Sequence, residues 1–558
     1  MKRNLIFVLV SAVLFCFSAN AQTNKNKKSE LNRELEVTRE YEPIVKTATK
    51  IDVKPNLVDT VKLRHEFNYT ITMDKAYNRD RFSIKPIGVA DVNVVTPRRS
   101  VEHLNVTAGL GFPFQSLADV NYALVNSPKT QINLNLNHSG QWAKIENDAQ
   151  VKSPAAQTQN QLSFFANRTW SKGAISGEVY GLFDKYTRYG YFNNGNPLPE
   201  TFDNSKSALA QRFSGGGVEF ALTNMGDVLN INLLFDAASV SDKFDGGRTD
   251  LNARLGLGHT FKNDHSLNVE LGARVAKGKN VNKTDITSIS VAPFYMMNLG
   301  KTTLGLGCEI ASANAGDDSE VLFFPKFKYE TQIKNNLSIY ANVGGGAYVD
   351  RYMANPYLVS EAVAPLSKRY SLQAGLAGNS RKVRFAIGVE FDMLKDYAAY
   401  INLVNDNFLY NGFGYITDDV DVIKGVANLD WRISDKVSFQ SGILFRSAKS
   451  SNFSDALYMP TYEALIALKY TSSKFQARVK CDFVGEQYFS EMGVVNPLVS
   501  TIVKADGYVN LGVECNYKFN EKMSFGIEAR NITNSEIYEF NHYKSIGANL
   551  LAKINLKF

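Results

Sequence analysis

The chain has 558 residues and a formal charge of +7, from 62 basic and 55 acidic side chains dispersed along it. That dispersal excludes the basic footprint of a nucleic-acid-binding protein. Of the four cysteines, Cys16 falls in the leader, and the odd remainder, Cys308, Cys481 and Cys515, excludes a disulfide-built scaffold.

Lys2 and Arg3 open the chain, an apolar stretch runs from Leu5 to Phe17, and Ala19-Asn20-Ala21 comes next. The stretch has the length of a signal-peptide core and is too short to cross a bilayer as a helix. Residues 1–21 are therefore expected to be a cleaved signal peptide, and losing Lys2 and Arg3 leaves +5. A lipoprotein leader built on Cys16 is disfavoured by Leu14 and Phe15, which stand where small residues are required. No later run reaches about eighteen apolar residues, so no transmembrane helix is expected. Yet 27 Tyr and 35 Phe accompany a mildly polar chain. A Gram-negative outer-membrane β-barrel reconciles the two, with an apolar lipid face, a polar lumen and aromatic residues at the interfaces. A secreted array of β-sandwiches is the competing reading.

Residues 22–100 differ from the rest of the chain. Gln22 to Lys28 is polar and basic, and Pro43, Pro55, Pro86 and Pro97 punctuate the remainder of the segment. Prolines at that spacing discourage long regular elements. The segment reads as periplasmic or inserted in the lumen, with the barrel occupying residues 101–558.

From His103 onward, apolar and polar residues alternate with period two, as strands with two different faces require. Ile132, Leu134 and Leu136 alternate with Asn133, Asn135 and Asn137. Similar runs cover 251–258, 267–275, 383–392, 475–483 and 523–530. Tight turns are expected near 127–129, 171–172, 224–226, 262–264, 300–301, 334–336, 379–381, 434–436, 472–474 and 520–522. The longest loops are expected at about 140–158, 184–210, 350–366, 397–417 and 487–506. Alternating short and long connections are the pattern of outer-membrane barrels, with the short turns in the periplasm. The fold class is all-β, an antiparallel transmembrane barrel of about 22 strands, within about 18–24. Pro293 and Pro325 weaken the two strands that contain them.

In the last strand, Leu550, Ala552, Ile554, Leu556 and Phe558 share one face and Lys553, Asn555 and Lys557 the other. The apolar set suits lipid. Ala552, Ile554, Leu556 and Phe558 also form the expected signal for the barrel-assembly machinery, and an ordinary amphipathic closing strand is the plainer reading. Glu528-Ala529-Arg530-Asn531-Ile532-Thr533-Asn534, then Tyr538 and the terminal strand, resembles the end of TonB-dependent receptor barrels. There an Asn-Leu-x-Asn turn and a nearby Tyr precede a strand closing on Phe; here the Tyr is one position later. The N-terminal part departs from that family, because residues 22–100 are too few for its usual plug domain. Glu34, Leu35, Glu36, Val37, Thr38, Arg39 and Glu40 are similar to a TonB box, a segment that pairs with its partner by strand addition. A short strand or linker at the periplasmic mouth is the plainer reading of these residues.

The resemblance implies an outer-membrane transport protein with an abbreviated or missing plug, taking up an unidentified ligand. It implies as partners outer-membrane lipid, the barrel-assembly machinery, TonB or another periplasmic protein, and a surface lipoprotein, with no nucleic acid. The alternative is a non-energised channel, or a structural or assembly barrel docking a periplasmic partner.

Little else points to chemistry. The histidines at 65, 103, 138, 259, 265 and 542 lack metal-ligand spacing. Asp418, Asp419 and Asp421, and Asp317, Asp318 and Glu320, read as loop clusters of solvated charge rather than calcium sites. No Gly-x-Ser-x-Gly elbow or phosphate-binding loop is present. His138 and Asp148 near the outer rim are the sole hint of a hydrolase, at the level of chance, so neither enzymatic activity nor a cofactor is expected. The cysteines fall in phase with lipid-facing residues, where thiols act as small apolar groups. Charged positions such as Arg254, Glu270, Arg274, Arg384, Glu390, Arg478, Lys480, Asp482, Glu514, Glu528 and Arg530 are expected to face the lumen, where they can pair across the wall, hold an inserted segment or set selectivity, and pairing is the plainer reading.

Overall fold

The computed structural model describes residues 103–558 apart from 192–202, 227, 262–263, 281–284, 335, 351–353, 360–361, 405–409 and 493–499. The proposed signal peptide, residues 22–100 and the TonB-box-like segment Glu34 to Glu40 lie outside the described residues.

All six alternating stretches fold as strands, and each wall strand pairs antiparallel with its neighbours around the ring. The result is a closed barrel of 22 strands, from Leu104–Phe112 to Asn549–Lys557. Closure joins first to last, with Asn105 opposite Lys557 and Phe112 opposite Leu550. Leu104 and Phe558 exchange backbone hydrogen bonds of 2.9 and 2.8 Å at the seam. No helix occurs among the described residues.

The alternation sorts the two faces of the wall. Outward-facing Leu110, Leu136, Ile289, Phe323, Ile387, Ile423 and Ile527 are exposed, as a lipid-facing belt must be, while inward-facing Lys553 and Asn555 are buried. Both proline-containing strands form. At Pro293 the ladder to Thr302–Ala315 skips from Val291 opposite Ile310 to Phe294 opposite Gly307. Pro325 lies opposite Cys308, beyond the pairing with Leu337–Val349, which begins at Phe327. Each proline thus occupies a place where a ladder is interrupted, so its missing N–H costs little.

The short connections share one chemistry. Ser127, Ser380, Ser434 and Ser472 each accept a hydrogen bond on Oγ from the amide three residues on, at 2.9 to 3.1 Å. A serine side chain that takes this amide replaces a backbone acceptor and shapes the turn locally. These turns, both barrel termini and the closure seam share one rim, the near rim.

The opposite, far rim corrects two expectations. Residues 140–158 and 397–417 are mostly tall hairpins rather than loops. Val383–Val404 and Tyr410–Arg432 run 22 and 23 residues, about twice what a tilted strand needs to cross a bilayer. Above the lipid both faces of such a hairpin meet water or protein, and the period-two signal fades. Asp418, Asp419 and Asp421 accordingly lie in Tyr410–Arg432, not in a loop. Asp419 pairs with Lys395 at 2.7 Å. Glu320 pairs with Lys368 at 2.6 Å.

The cysteines are free thiols. Cys481 faces Leu511 while Cys515 faces Ala477, a stagger of four residues or about 13 Å, too far for a disulfide.

Lumenal charges pair across the wall. Arg369 meets Glu390 at 2.6 Å and Asp392 at 3.0 Å, and Lys424 contacts the same two carboxylates. Lys553 meets Glu528 at 2.6 Å and Glu514 at 3.4 Å. Lys480 meets Asp482 at 2.9 Å within one strand, Phe475–Val484. Gly345 shows how tightly this interior is built: a Cβ there would stand 2.4 Å from the Arg369 carbonyl and 2.8 Å from the buried Phe324 ring.

Candidate functional site at the far mouth

A barrel of 22 strands encloses a lumen wide enough to require filling. At the far rim the filling comes from the wall's own loops. Gln487–Met492 and Ser500–Ala505 form a hairpin that leaves the ring, so Phe475–Val484 pairs directly with Tyr508–Lys518. Its first strand, Gln487–Met492, pairs in parallel with Val383–Val404, with Ser490 opposite Ile401 and Glu491 opposite Asn402. A second hairpin, Tyr538–Phe540 with Tyr543–Lys544, forms its own two-stranded sheet and pairs with no wall strand.

These excursions meet in an aromatic cluster. Tyr186, Phe213, Tyr357, Leu358, Phe413, Phe540 and Tyr543 are all buried together. Tyr186 and Phe213 come from the fifth and sixth strands and Phe413 from the sixteenth, nearly opposite sides of the ring. Tyr357 and Tyr543 bridge the gap, stacked at 3.7 Å between ring centroids. Tyr186 meets Tyr357 at 6.3 Å, and Phe413 meets Tyr543 at 5.7 Å. Edge-to-face and stacked rings at these separations add attraction beyond the area they bury. Tyr400, Tyr415 and Tyr458 extend the cluster along its flank. Arg188 Nη2 donates to the Leu358 carbonyl at 2.9 Å and ties the cluster to the wall.

Beside the rings sits a charged group from three separate segments. His542 Nδ1 lies 2.7 Å from Asp148, and Nε2 lies 2.6 Å from Glu491. Asn541 Nδ2 donates to the same Glu491 oxygen at 2.6 Å. Tyr538 donates its hydroxyl to Asp148 at 3.2 Å, and Lys544 stands 3.4 Å from Asp148 and 3.2 Å from Glu536. Burial disfavours the imidazolium, but the hydrogen bonds and charges of Asp148 and Glu491 outweigh it and lift His542 above its ordinary range. Burial likewise raises Asp148, and His542 and Lys544 more than reverse this, holding it below the usual carboxylate range. Burial and the Asp148 charge push Tyr538 up to about 12. Gln211 Nε2, Asn355 Nδ2 and both amide atoms of Asn402 have no protein partner here although these side chains are fully buried. Such groups cost free energy when they are held away from solvent.

Of the expected site residues, Glu34 to Glu40 lie outside the described residues. Ala552, Ile554, Leu556 and Phe558 line the outer face of the closing strand at the near rim. His138 lies within Thr130–Glu146, between Ser116 Oγ at 2.7 Å and Asn160 Oδ1 at 2.7 Å. Asp148 is taken by His542 instead, so the two do not form a hydrolytic pair. Among the described residues no cluster of His, Cys, Asp and Glu is fit to hold a metal ion. Sequence reasoning passed over His542, whose partners lie 394 and 51 residues away and leave no local signal.

No protein-family model matches the sequence, and no curated protein matches it. Solved structures do resemble the fold. The siderophore receptor PirA from Acinetobacter baumannii superposes with a TM-score of 0.64 at 11% identity, over 83% of this chain and 81% of that one. The FrpB iron transporter from Neisseria meningitidis gives 0.62 at 11%, over 82% of each chain. The ferric yersiniabactin uptake receptor FyuA from Yersinia pestis gives 0.61 at 10%, over 83% and 81%. The chain therefore has the fold of TonB-dependent-receptor-like barrels, a closed transmembrane β-barrel of 22 strands.

Proposed function

We propose that the chain is an outer-membrane transport protein that takes up a ligand from outside the cell, with the near rim in the periplasm. The observation that carries the reading is the far mouth, where loops from nearly opposite walls fold inward and pack on one another. A static structural barrel has no use for so elaborate a closure. In this reading the far loops capture ligand and residues 22–100 occlude or gate the lumen. Glu34 to Glu40 would engage TonB or another periplasmic partner by strand addition. The fold-level neighbours include an iron transporter, a copper transporter and a siderophore receptor, which makes metal chelates the first ligands to test.

Deleting residues 30–42 tests the reading. The variant is expected to insert normally, shown by heat-modifiable gel migration, while losing uptake and TonB co-purification. Normal uptake without these residues would remove the energised mechanism. In planar bilayers the full chain is expected to be silent; a large, permanently open conductance would favour a passive channel instead.

A further inference from the structure

The closing hairpin divides its labour. Phe540 and Tyr543 enter the aromatic cluster, and the two residues between them, Asn541 and His542, bind the charged group. His542 sits at the tip with φ of +65°, and its side chain is nearly inaccessible. Both ring nitrogens lie within 2.7 Å of carboxylate oxygens. Ionised carboxylates accept and do not donate, so with Asp148 and Glu491 both ionised the two nitrogens carry protons and the ring is an imidazolium. One cation thus joins the 147–151 turn, the strand Gln487–Met492 and the 531–548 loop.

We propose that the Asp148–His542–Glu491 clasp is the latch of the far mouth, holding the hairpin tip in place until a ligand displaces it. The inference rests on the transport reading for its purpose, but the latch itself is testable without any ligand. Two of the seven clustered side chains ride on the hairpin, so its release opens the aromatic bridge at Tyr543. Neutral ties also hold the hairpin: Tyr189 to the Lys544 carbonyl at 2.7 Å and Gln487 to the Tyr538 carbonyl at 2.9 Å. Breaking a buried charged pair is far more disruptive than losing one such bond, because it strands the remaining charge. Asp148 is also faced by Lys544 and Tyr538, and Lys544 by Glu536, so these groups compensate in part when His542 loses its charge.

The test uses the full chain in intact cells, with Cys308, Cys481 and Cys515 replaced by alanine. Asn137→Cys reports the lumen and Val363→Cys the exposed far surface. Labelling by a membrane-impermeant maleimide is read as the ratio of the first rate to the second. Glu491→Gln, Asp148→Asn and His542→Ala are each expected to raise that ratio about tenfold or more, with heat-modifiable migration retained. An unchanged ratio in folded variants would overturn the latch. The unmutated clasp supplies a second measurement free of folding defects. Its ratio is expected to climb as pH rises and the imidazolium is lost, and a flat profile overturns the proposal. Loss of uptake on deleting residues 30–42 bears on the transport reading alone and leaves this result standing.

Discussion

Lys553 is the best single probe of how the barrel closes. It lies on the lumenal face of the final strand with 7% of its side chain exposed, against Glu528 and Glu514 at 6% and 11%. Lys553→Met keeps the chain volume and removes the charge, leaving two buried carboxylates short of a partner. Breaking such a pair typically costs about 3–5 kcal/mol. Arg530 also contacts Glu528, so the lower end applies, about 3 kcal/mol or roughly a hundredfold in the folding equilibrium. Urea titration of the refolded barrel in lipid, followed by fluorescence and gel migration, measures the change. Adding Glu528→Gln to Lys553→Met is expected to return about half of the loss, because one stranded charge is removed. A Lys553→Met barrel within about 0.5 kcal/mol of the parent would refute the reasoning, since it would mean the lumen solvates these groups freely.

Other expectations concern the faces of the wall and the mouth. Cys308→Arg, near the middle of an outward face, should cost about 2–4 kcal/mol, whereas Cys308→Ala should change little; equal effects in the urea assay would contradict the lipid assignment. Phe558→Ala should lower the yield of heat-modifiable barrel in cells while Lys557→Ala, on the lumenal face, leaves it unaltered; pulse labelling distinguishes them. The clasp should also set a pH window. The raised His542 contributes stability that is complete below the ordinary imidazole range and is lost as pH rises through its raised value. The lowered Asp148 contributes stability above the ordinary carboxylate range that is lost as pH falls through its depressed value. Resistance of residues 531–548 to surface protease, relative to a His542→Gln chain, should therefore be greatest between the two.

Much of the barrel was legible without the fold. Lipid imposes the same demand on every strand, apolar outward and polar inward, so Ile132 to Asn137 or Met523 to Arg530 declare two faces locally. The turns at Ser127, Ser380, Ser434 and Ser472 are equally local, because a serine and the amide three residues on make the motif themselves. With strands and turns in hand, the count of 22 and the near rim follow. The closing strand also showed its faces, since its alternation runs to Phe558.

The far mouth obeyed no such rule. Residues 397–417 gave no strand signal because, above the bilayer, neither face of the tall hairpin meets lipid and alternation carries no advantage. Asp418 to Asp421 resembled solvated loop charge for the same reason. His542, Asp148 and Glu491 are brought together only when the ring has closed and separate loops fold inward. Contacts between residues hundreds of positions apart have no spacing to read. By itself the sequence determined the wall, because a membrane repeats its demand strand after strand. The tertiary structure alone decided the mouth, because its energy lies in particular meetings of loops that the lipid does not constrain.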